Sequence, residues 1–273
     1  MQNFQLTEFL TIKGISSASG LIYHDNVIFL ISDNSTFLYQ YVIDKELVLK
    51  FPLVKEAQEN IAKQDKLDLE AITSFGNQLF IFGSGSTEKR NTMFSLDLSN
   101  DKLQSNNLSQ LYSFLRTIAE LNEDELNIEG AICADKTMYL FQRGNGANNK
   151  NGIFIVPDSQ DKQIQYFPVE LPSLDDVETT FTDAILVDNH IYFLAAAEDT
   201  TSTYEDGEVL GSIIGKINFQ TFELEDVLVI SESQKFEGLS LYQNNEKEIS
   251  FLLCEDTDSE ESSSKIYKLI IDK

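Results

Sequence analysis

The sequence predicts an all-β fold, a five-bladed β-propeller closed by its own N-terminal strand, and three observations point there. The first is a phrase that returns five times: a small or acidic pair, an apolar strand, a tight turn, then a second apolar strand. It reads Ser19-Gly20-Leu21-Ile22 before Val27-Ile28-Phe29-Leu30, then Glu70-Ala71-Ile72 before Leu79-Phe80-Ile81-Phe82. It returns as Glu129-Gly130-Ala131-Ile132 before Met138-Tyr139-Leu140-Phe141, and as Asp183-Ala184-Ile185-Leu186 before Ile191-Tyr192-Phe193-Leu194. The last copy is Glu237-Gly238-Leu239 before Ile249-Ser250-Phe251-Leu252. The second observation is spacing: Gly20, Ala71, Gly130, Ala184 and Gly238 stand roughly 50 to 60 residues apart, a period of propellers and other repeat arrays. The third is a leftover strand. The fifth repeat stops at its third strand, Lys265–Ile271, while Phe4–Ile12 precedes the first repeat and belongs to no other unit. If Phe4–Ile12 completes the last blade, the ring closes and both open sheet edges disappear. A six-bladed ring is the alternative count.

Each repeat divides into four antiparallel strands. In the second, strand A is Glu70–Phe75, the turn is Gly76-Asn77 and strand B is Gln78–Gly83. Strand C follows at Thr92–Leu98 and strand D near Lys102–Ser105. Gly76-Asn77, Asp25-Asn26 and Asp188-Asn189 are hairpin turns by composition. Aromatic and β-branched residues fill the strands, as a pleated, half-buried surface prefers. Two helical insertions are expected. Leu108, Leu111, Tyr112, Leu115 and Ile118 recur at helical spacing behind Asn106 and Asn107 as caps, and a shorter candidate is Val54–Ala62.

The 42% hydrophobic content, with 19 Phe and 10 Tyr, supplies ample core, and only 4 prolines and no linker-like stretch argue for one domain over 1–273. No apolar run approaches a membrane span, and the N-terminus lacks the basic start of a secretory signal. Cys133 and Cys254 fall on different strands and read as two free buried thiols. A monomeric, cytoplasmic protein is the expectation. Against 20 basic residues stand 45 acidic ones, a net charge of −25 that repels phosphate backbones and anionic lipid. Nucleic acid and membrane are therefore excluded as partners, and a small-molecule ligand is expected.

In a meander, the start of strand A and the B–C loop share one end of the blade. Glu70, Glu129, Asp183 and Glu237 are therefore expected as a partial carboxylate ring at one axial mouth, with Ser17 and Ser19 there in the first blade. The B–C loops bring Asp33-Asn34-Ser35, then Ser84 and Ser86 with Arg90, then Arg143-Gly144-Asn145 to the same mouth. The later repeats add Glu198, Asp199, Asp206 and Glu208, then Glu255-Asp256-Thr257-Asp258. His24 and His190 flank A–B turns at the opposite end, so no histidine can serve Ser84 or Ser86 and a Ser-His-Asp site is excluded.

On Asp68-Leu69-Glu70-Ala71, Gly83-Ser84-Gly85-Ser86 with Arg90, Asn127-Ile128-Glu129-Gly130 and Arg143-Gly144-Asn145, the chain resembles an uncharacterised bacterial β-propeller family. Phe181-Thr182-Asp183-Ala184, Ala195-Ala196-Ala197-Glu198-Asp199-Thr200, Asp206-Gly207-Glu208 with Gly211-Ser212, and Lys235-Phe236-Glu237-Gly238 extend the likeness over nearly the whole chain. The resemblance implies the fold and no activity. More distantly, Glu-Gly opening an inner strand is similar to phytase-like propellers and calcium-dependent nucleotidases, in which axial acids and bound calcium serve phosphate chemistry; the few basic residues here depart from that pattern.

Four like charges on one axis require raised pKa values, donors or a cation. Hard oxygen ligands suit calcium or magnesium. The expectations are thus a metal or general-base role for Glu70, Glu129, Asp183 and Glu237, with Arg90, Arg143, Asn145, Ser84, Ser86, Glu198, Asp199, Asp206 and Glu208 contacting the ligand. Hydrolysis of an ester or phosphate ester would use such a site. The competing expectation is a non-catalytic scaffold whose acids cap backbone N–H groups and pair with Arg90 and Arg143.

Overall fold

What makes the repeat close is its first strand, which is buried at its start and, in four of the five blades, carries a small residue where neighbouring blades touch. The computed structural model describes residues 3–159, 161–200, 207–256 and 262–273. In chain order, β1 (Phe4–Lys13) stands alone. Blade one follows as β2 (Ala18–His24), β3 (Val27–Ser32), β4 (Phe37–Val42) and β5 (Leu47–Pro52). Blade two is β6 (Leu69–Phe75), β7 (Gln78–Gly83), β8 (Thr92–Asp97) and β9 (Lys102–Asn107), followed by α1 (Ser109–Ala119). Blade three is β10 (Ile128–Ala134), β11 (Thr137–Gln142), β12 (Gly152–Pro157) and β13 (Gln165–Pro168). Blade four adds a two-residue strand, β14 (Ser173–Leu174), before β15 (Val177–Val187), β16 (His190–Asp199), β17 (Glu208–Asn218) and β18 (Leu224–Ser231). Blade five is β19 (Lys235–Asn244), β20 (Glu248–Asp256) and β21 (Ser263–Asp272).

Among the described residues these strands form five sheets, and the order β1-β21-β20-β19 seats the N-terminal strand on the last blade. β1 runs antiparallel to β21 from Phe4 opposite Ile271 to Lys13 opposite Ser263, so the ring closes with five blades, not six. The hairpin turns fall where the dipeptides placed them, with Asp25, Asn26, Gly76 and Asp188 in the left-handed region their residue types tolerate.

The core is five apolar layers, one in each seam between blades. Leu21, Leu30 and Tyr39 meet Leu252 and Ile266 in the seam of blades five and one. Phe141, Phe181 and Phe193 stack edge to face in the seam of blades three and four, at centroid distances of 5.4 and 5.1 Å. α1 covers the seam of blades two and three with Tyr112, Leu115 and Ala119, and the Tyr112 hydroxyl donates to the Gly83 carbonyl at 2.8 Å.

The expected helix over Val54–Ala62 does not form. Its backbone is used sideways instead: Thr36 N–H bonds to Gln58 O and Ile61 N–H to Asn34 O, which lace the segment to the B–C loop of blade one. Only a 3₁₀ turn at Lys63–Asp65 remains. Among the described residues both cysteines are free, and no helix is long and apolar enough to cross a membrane.

Candidate functional site

In every blade the ladder between the first two strands skips one residue near the start of the first strand. The skipped residues are Ser19, Glu70, Glu129, Thr182 and Glu237. A bulge of this kind re-aims one side chain and bends the strand, and here it does so at the same mouth of the ring five times. Repetition in sequence aligns Asp183 with the acids, whereas the ladder aligns Thr182 with them and sets Asp183 one residue further on. Asp183 occupies the position of Gly20, Ala71, Gly130 and Gly238, where inner strands press together. A Cβ on Gly238 would lie 2.7 Å from Leu21 N, and one on Gly130 would lie 3.2 Å from Asp183 Cα. Asp183 fits because the backbone uses it: Oδ1 accepts from Ala184 N–H and Oδ2 from Leu239 N–H, each at 2.7 Å. Burial raises its pKa well above the ordinary range despite those two donors. Both oxygens are thereby taken up between blades four and five.

The hydroxyl-bearing bulges act alike. Ser19 Oγ donates to Leu69 O at 2.5 Å and Thr182 Oγ1 to Phe236 O at 2.6 Å, each reaching the strand of the next blade just before its own bulge. Three bulged acids remain: Glu70, Glu129 and Glu237.

Glu129 and Glu237 belong to a buried ion network. Arg143 reaches Glu129 Oε1 at 3.2 Å with Nη1, Glu198 Oε2 at 2.6 Å with Nη2 and Thr180 Oγ1 at 3.2 Å with Nε. Lys235 Nζ lies 2.9 Å from Glu237 Oε1 and 3.4 Å from both Glu198 Oε2 and Asp256 Oδ2. Burial opposes the charge on Arg143 and Lys235, but the surrounding carboxylates outweigh it and hold both protonated. Burial likewise works against the Glu198 carboxylate, yet Arg143 and Lys235, with the Gly207 N–H, pull its pKa down to about 2. Asn127 donates to Glu129 Oε1 at 2.7 Å and to Asn145 Oδ1 at 3.3 Å, which brings Asn145 into the same network. The guanidinium of Arg143 is thus turned on protein carboxylates.

Glu70 sits in a different cluster. Asp33, Asp68 and Glu70 each offer an oxygen, and the three lie within 4.8 Å of one another. Asp68, with φ of 54°, takes Arg90 Nη1 and Ser84 Oγ on its Oδ2, both at 2.6 Å. Arg90 also donates to Ser86 Oγ at 2.7 Å, so Arg90 pairs with Asp68 rather than Glu70, and Ser84 and Ser86 orient that pair. Lys66 pairs with Asp33 Oδ2. Among the described residues, Asp33 Oδ1 is buried with no hydrogen-bond partner, and no donor reaches the Glu70 carboxylate. Burial raises Asp33 to about 6 against the pull of Lys66, with Asp256 and Asp68 pushing the same way as burial. Burial also pushes Glu70 well up, helped by Glu129, Asp68, Glu237 and Asp33.

Of the other expected ligand contacts, Asp199 and Glu208 face each other across the β16–β17 ladder as exposed residues. Asp206 lies outside the described residues. Sequence reasoning left out Asp33, Asp68, Lys66, Lys235 and Asp256 as site residues. The available signal was position: Asp68 and Lys235 stand two residues before a bulge acid, and Asp33 and Asp256 sit at the ends of second strands. The opposite mouth is also concave, a depression of about 310 Å³ with Ile22, Ile72, Ile132, Ile185 and Leu239 in its wall. Short turns there do not flatten the axis, because five apolar inner strands splay around it.

Residues 14–271 match the model of a family of unknown function, DUF6929. The chain belongs to that family. No curated protein matches DUF6929's present member. Among solved structures, its fold is similar to the major Malassezia sympodialis allergen Mala s 1, with TM-score 0.58 and 10% identity over 95% of both chains. It is also similar to Myxococcus xanthus glutaminyl cyclase, with TM-score 0.57 and 12% identity over 98% of this chain and 97% of that one. An exo-1,5-α-L-arabinanase from a bovine ruminal metagenomic library gives TM-score 0.52 and 10% identity over 97% and 95%. At these identities the likeness shows that this DUF6929 chain has a propeller fold and carries no activity across.

Proposed function

We propose that the protein binds a divalent cation through Asp33, Asp68 and Glu70 and, over that cation, a small oxygen-rich molecule at the axial mouth. The observation that carries this reading is Asp33 Oδ1, a buried carboxylate oxygen with no donor beside two further acids. A buried polar atom without a partner is costly, and a cation shared with Asp68 and Glu70 removes that cost. Two oxygens on opposite sides of calcium, at about 2.3 to 2.6 Å each, are separated by about 5 Å, which the 4.8 Å spread of this trio fits. Lys66 and Arg90 hold the second oxygens of Asp33 and Asp68, the positioning role that outer groups play around hard cations. Titration calorimetry with calcium and with magnesium tests it. Saturable binding that Asp33→Asn and Glu70→Gln abolish is expected; no heat and no change in melting temperature with either ion would instead favour a scaffold with structural acids.

Hydrolysis of an ester at the same site is the second reading, and Glu70 favours it. A carboxylate with no donor and a raised pKa suits a general base acting on water beside a cation. Cation-dependent release of p-nitrophenol from p-nitrophenyl acetate, lost in Glu70→Gln, is the expected result. Turnover unchanged by chelator would remove it.

A further inference from the structure

The chain has three arginines, Arg90, Arg116 and Arg143. Arg90 and Arg143 are buried and ion-paired at the mouth. Arg116 differs. In the last turn of α1, its side chain makes, among the described residues, one hydrogen bond, to the Gly85 carbonyl at 3.3 Å, and no ion pair, in a protein with 45 acidic side chains. It lines a cavity of about 720 Å³ between α1 and the B–C loop of blade two, together with Glu88, Asn91, Ser109, Glu123 and Asp124.

A second group in that cavity has bonding capacity to spare. Asn91 is 5% exposed; its Nδ2 donates to Ser109 Oγ at 3.3 Å, and among the described residues nothing donates to its Oδ1. Buried amide oxygens are nearly always satisfied, so one left without a donor in a residue of the cavity wall marks a place for an incoming one. Asp33, Asp68 and Glu70 do not line this cavity, which is therefore distinct from the cation site.

The charges narrow the class of ligand. A neutral polyol leaves the guanidinium unanswered. A phosphate or a simple carboxylate meets Arg116 but also the surrounding carboxylates, and a simple amine meets those carboxylates but also Arg116. A molecule with one anionic and one cationic end answers both. We propose that this cavity binds a zwitterion of the amino-acid or short-peptide class. Its carboxylate lies on Arg116, its ammonium group faces Glu88 and Glu123, and an N–H donates to Asn91 Oδ1. The volume is in the range that encloses small molecules and leaves room for a dipeptide, and a carboxylate on a guanidinium gains a bidentate, charge-assisted pair.

Titration calorimetry in chelator with glycylglycine and lysylglycine tests this. N-acetylglycine, glycinamide and glucose serve as probes with one charge or none. Saturable dipeptide binding is expected, at least about tenfold weaker for N-acetylglycine and glycinamide and at least about tenfold weaker in Arg116→Gln, which is about 1.4 kcal/mol or more. Glu88→Gln, an exposed change, is expected to weaken lysylglycine several-fold with an unaltered unfolding midpoint. If Arg116→Gln fails to fold, the charge-deleted probes and Glu88→Gln carry the decision. No heat from either dipeptide at millimolar concentration overturns the proposal, as does glucose binding or equal affinity for the charge-deleted probes.

Discussion

Thr182 Oγ1 donates to the carbonyl oxygen of Phe236 at 2.6 Å, across the seam between blades four and five. Ser19 repeats the bond to Leu69 between blades one and two. Two bulges thus spend their side chains on stitching adjacent blades, and the remaining three carry acids. Thr182→Val keeps the shape and removes the donor, which is expected to cost about 1 kcal/mol. Denaturant unfolding should show that loss, while calcium affinity at Asp33, Asp68 and Glu70 stays unchanged.

Arg143 holds two buried carboxylates, Glu129 and Glu198. Arg143→Ala takes the guanidinium from both, and removing one partner of a buried pair is expected to cost about 3 to 5 kcal/mol. The combined change Arg143→Met with Glu198→Met should recover part of that loss. A single variant as stable as the parent in urea would show that the network adds nothing.

The pH dependence has opposite signs at Asp33 and at Glu198. Asp33, raised to about 6, binds its proton more tightly when folded, so its contribution is full below the ordinary carboxylate range and is lost as pH rises through about 6. The cation-free protein is expected to melt lower as pH climbs through that window, an effect Asp33→Asn flattens. Calcium competes with the same proton, so its affinity should rise with pH there. Glu198, held near 2, stabilises above the ordinary carboxylate range, and that contribution is lost as pH falls toward about 2. Melting curves at stepped pH, with and without calcium, read both effects.

Removing β1 leaves β21 without its outer neighbour along the register from Phe4 to Lys13. A bare edge pairs with other chains. The truncated protein is expected to lose cooperative melting and to aggregate, which scanning calorimetry and light scattering check.

The ring, its blade count and its closure were legible because an apolar strand, a turn dipeptide and a small residue recur with one period. Of the candidate site, only the gathering of bulge acids and B–C loops at one mouth was legible. Asp183 sits beside Ala184 in a phrase that mimics Glu129-Gly130, and only the ladder reveals that the bulge falls on Thr182. Pairing was hidden for a similar reason. Glu198 meets Arg143 across 55 residues and Asp33 meets Lys66 across 33, distances along the chain that no local pattern encodes. The absent helix at Val54–Ala62 shows the same limit: loop carbonyls and amides from residues 34 to 36 captured a backbone that local composition left free.

The pairing of β1 with β21 also imposes an order on synthesis. Of the ring's own strands, the first to be made is the one whose ladder waits for the last, since Phe4 pairs with Ile271. At the usual pace of translation, about 5 to 20 residues per second, that wait is roughly 13 to 50 seconds. Through it, four blades can stack one on the next while the strand that completes the fifth has no place to dock. A newborn chain is therefore an open arc, and its vulnerability to chaperones, proteases and other nascent chains ends only with the final strand.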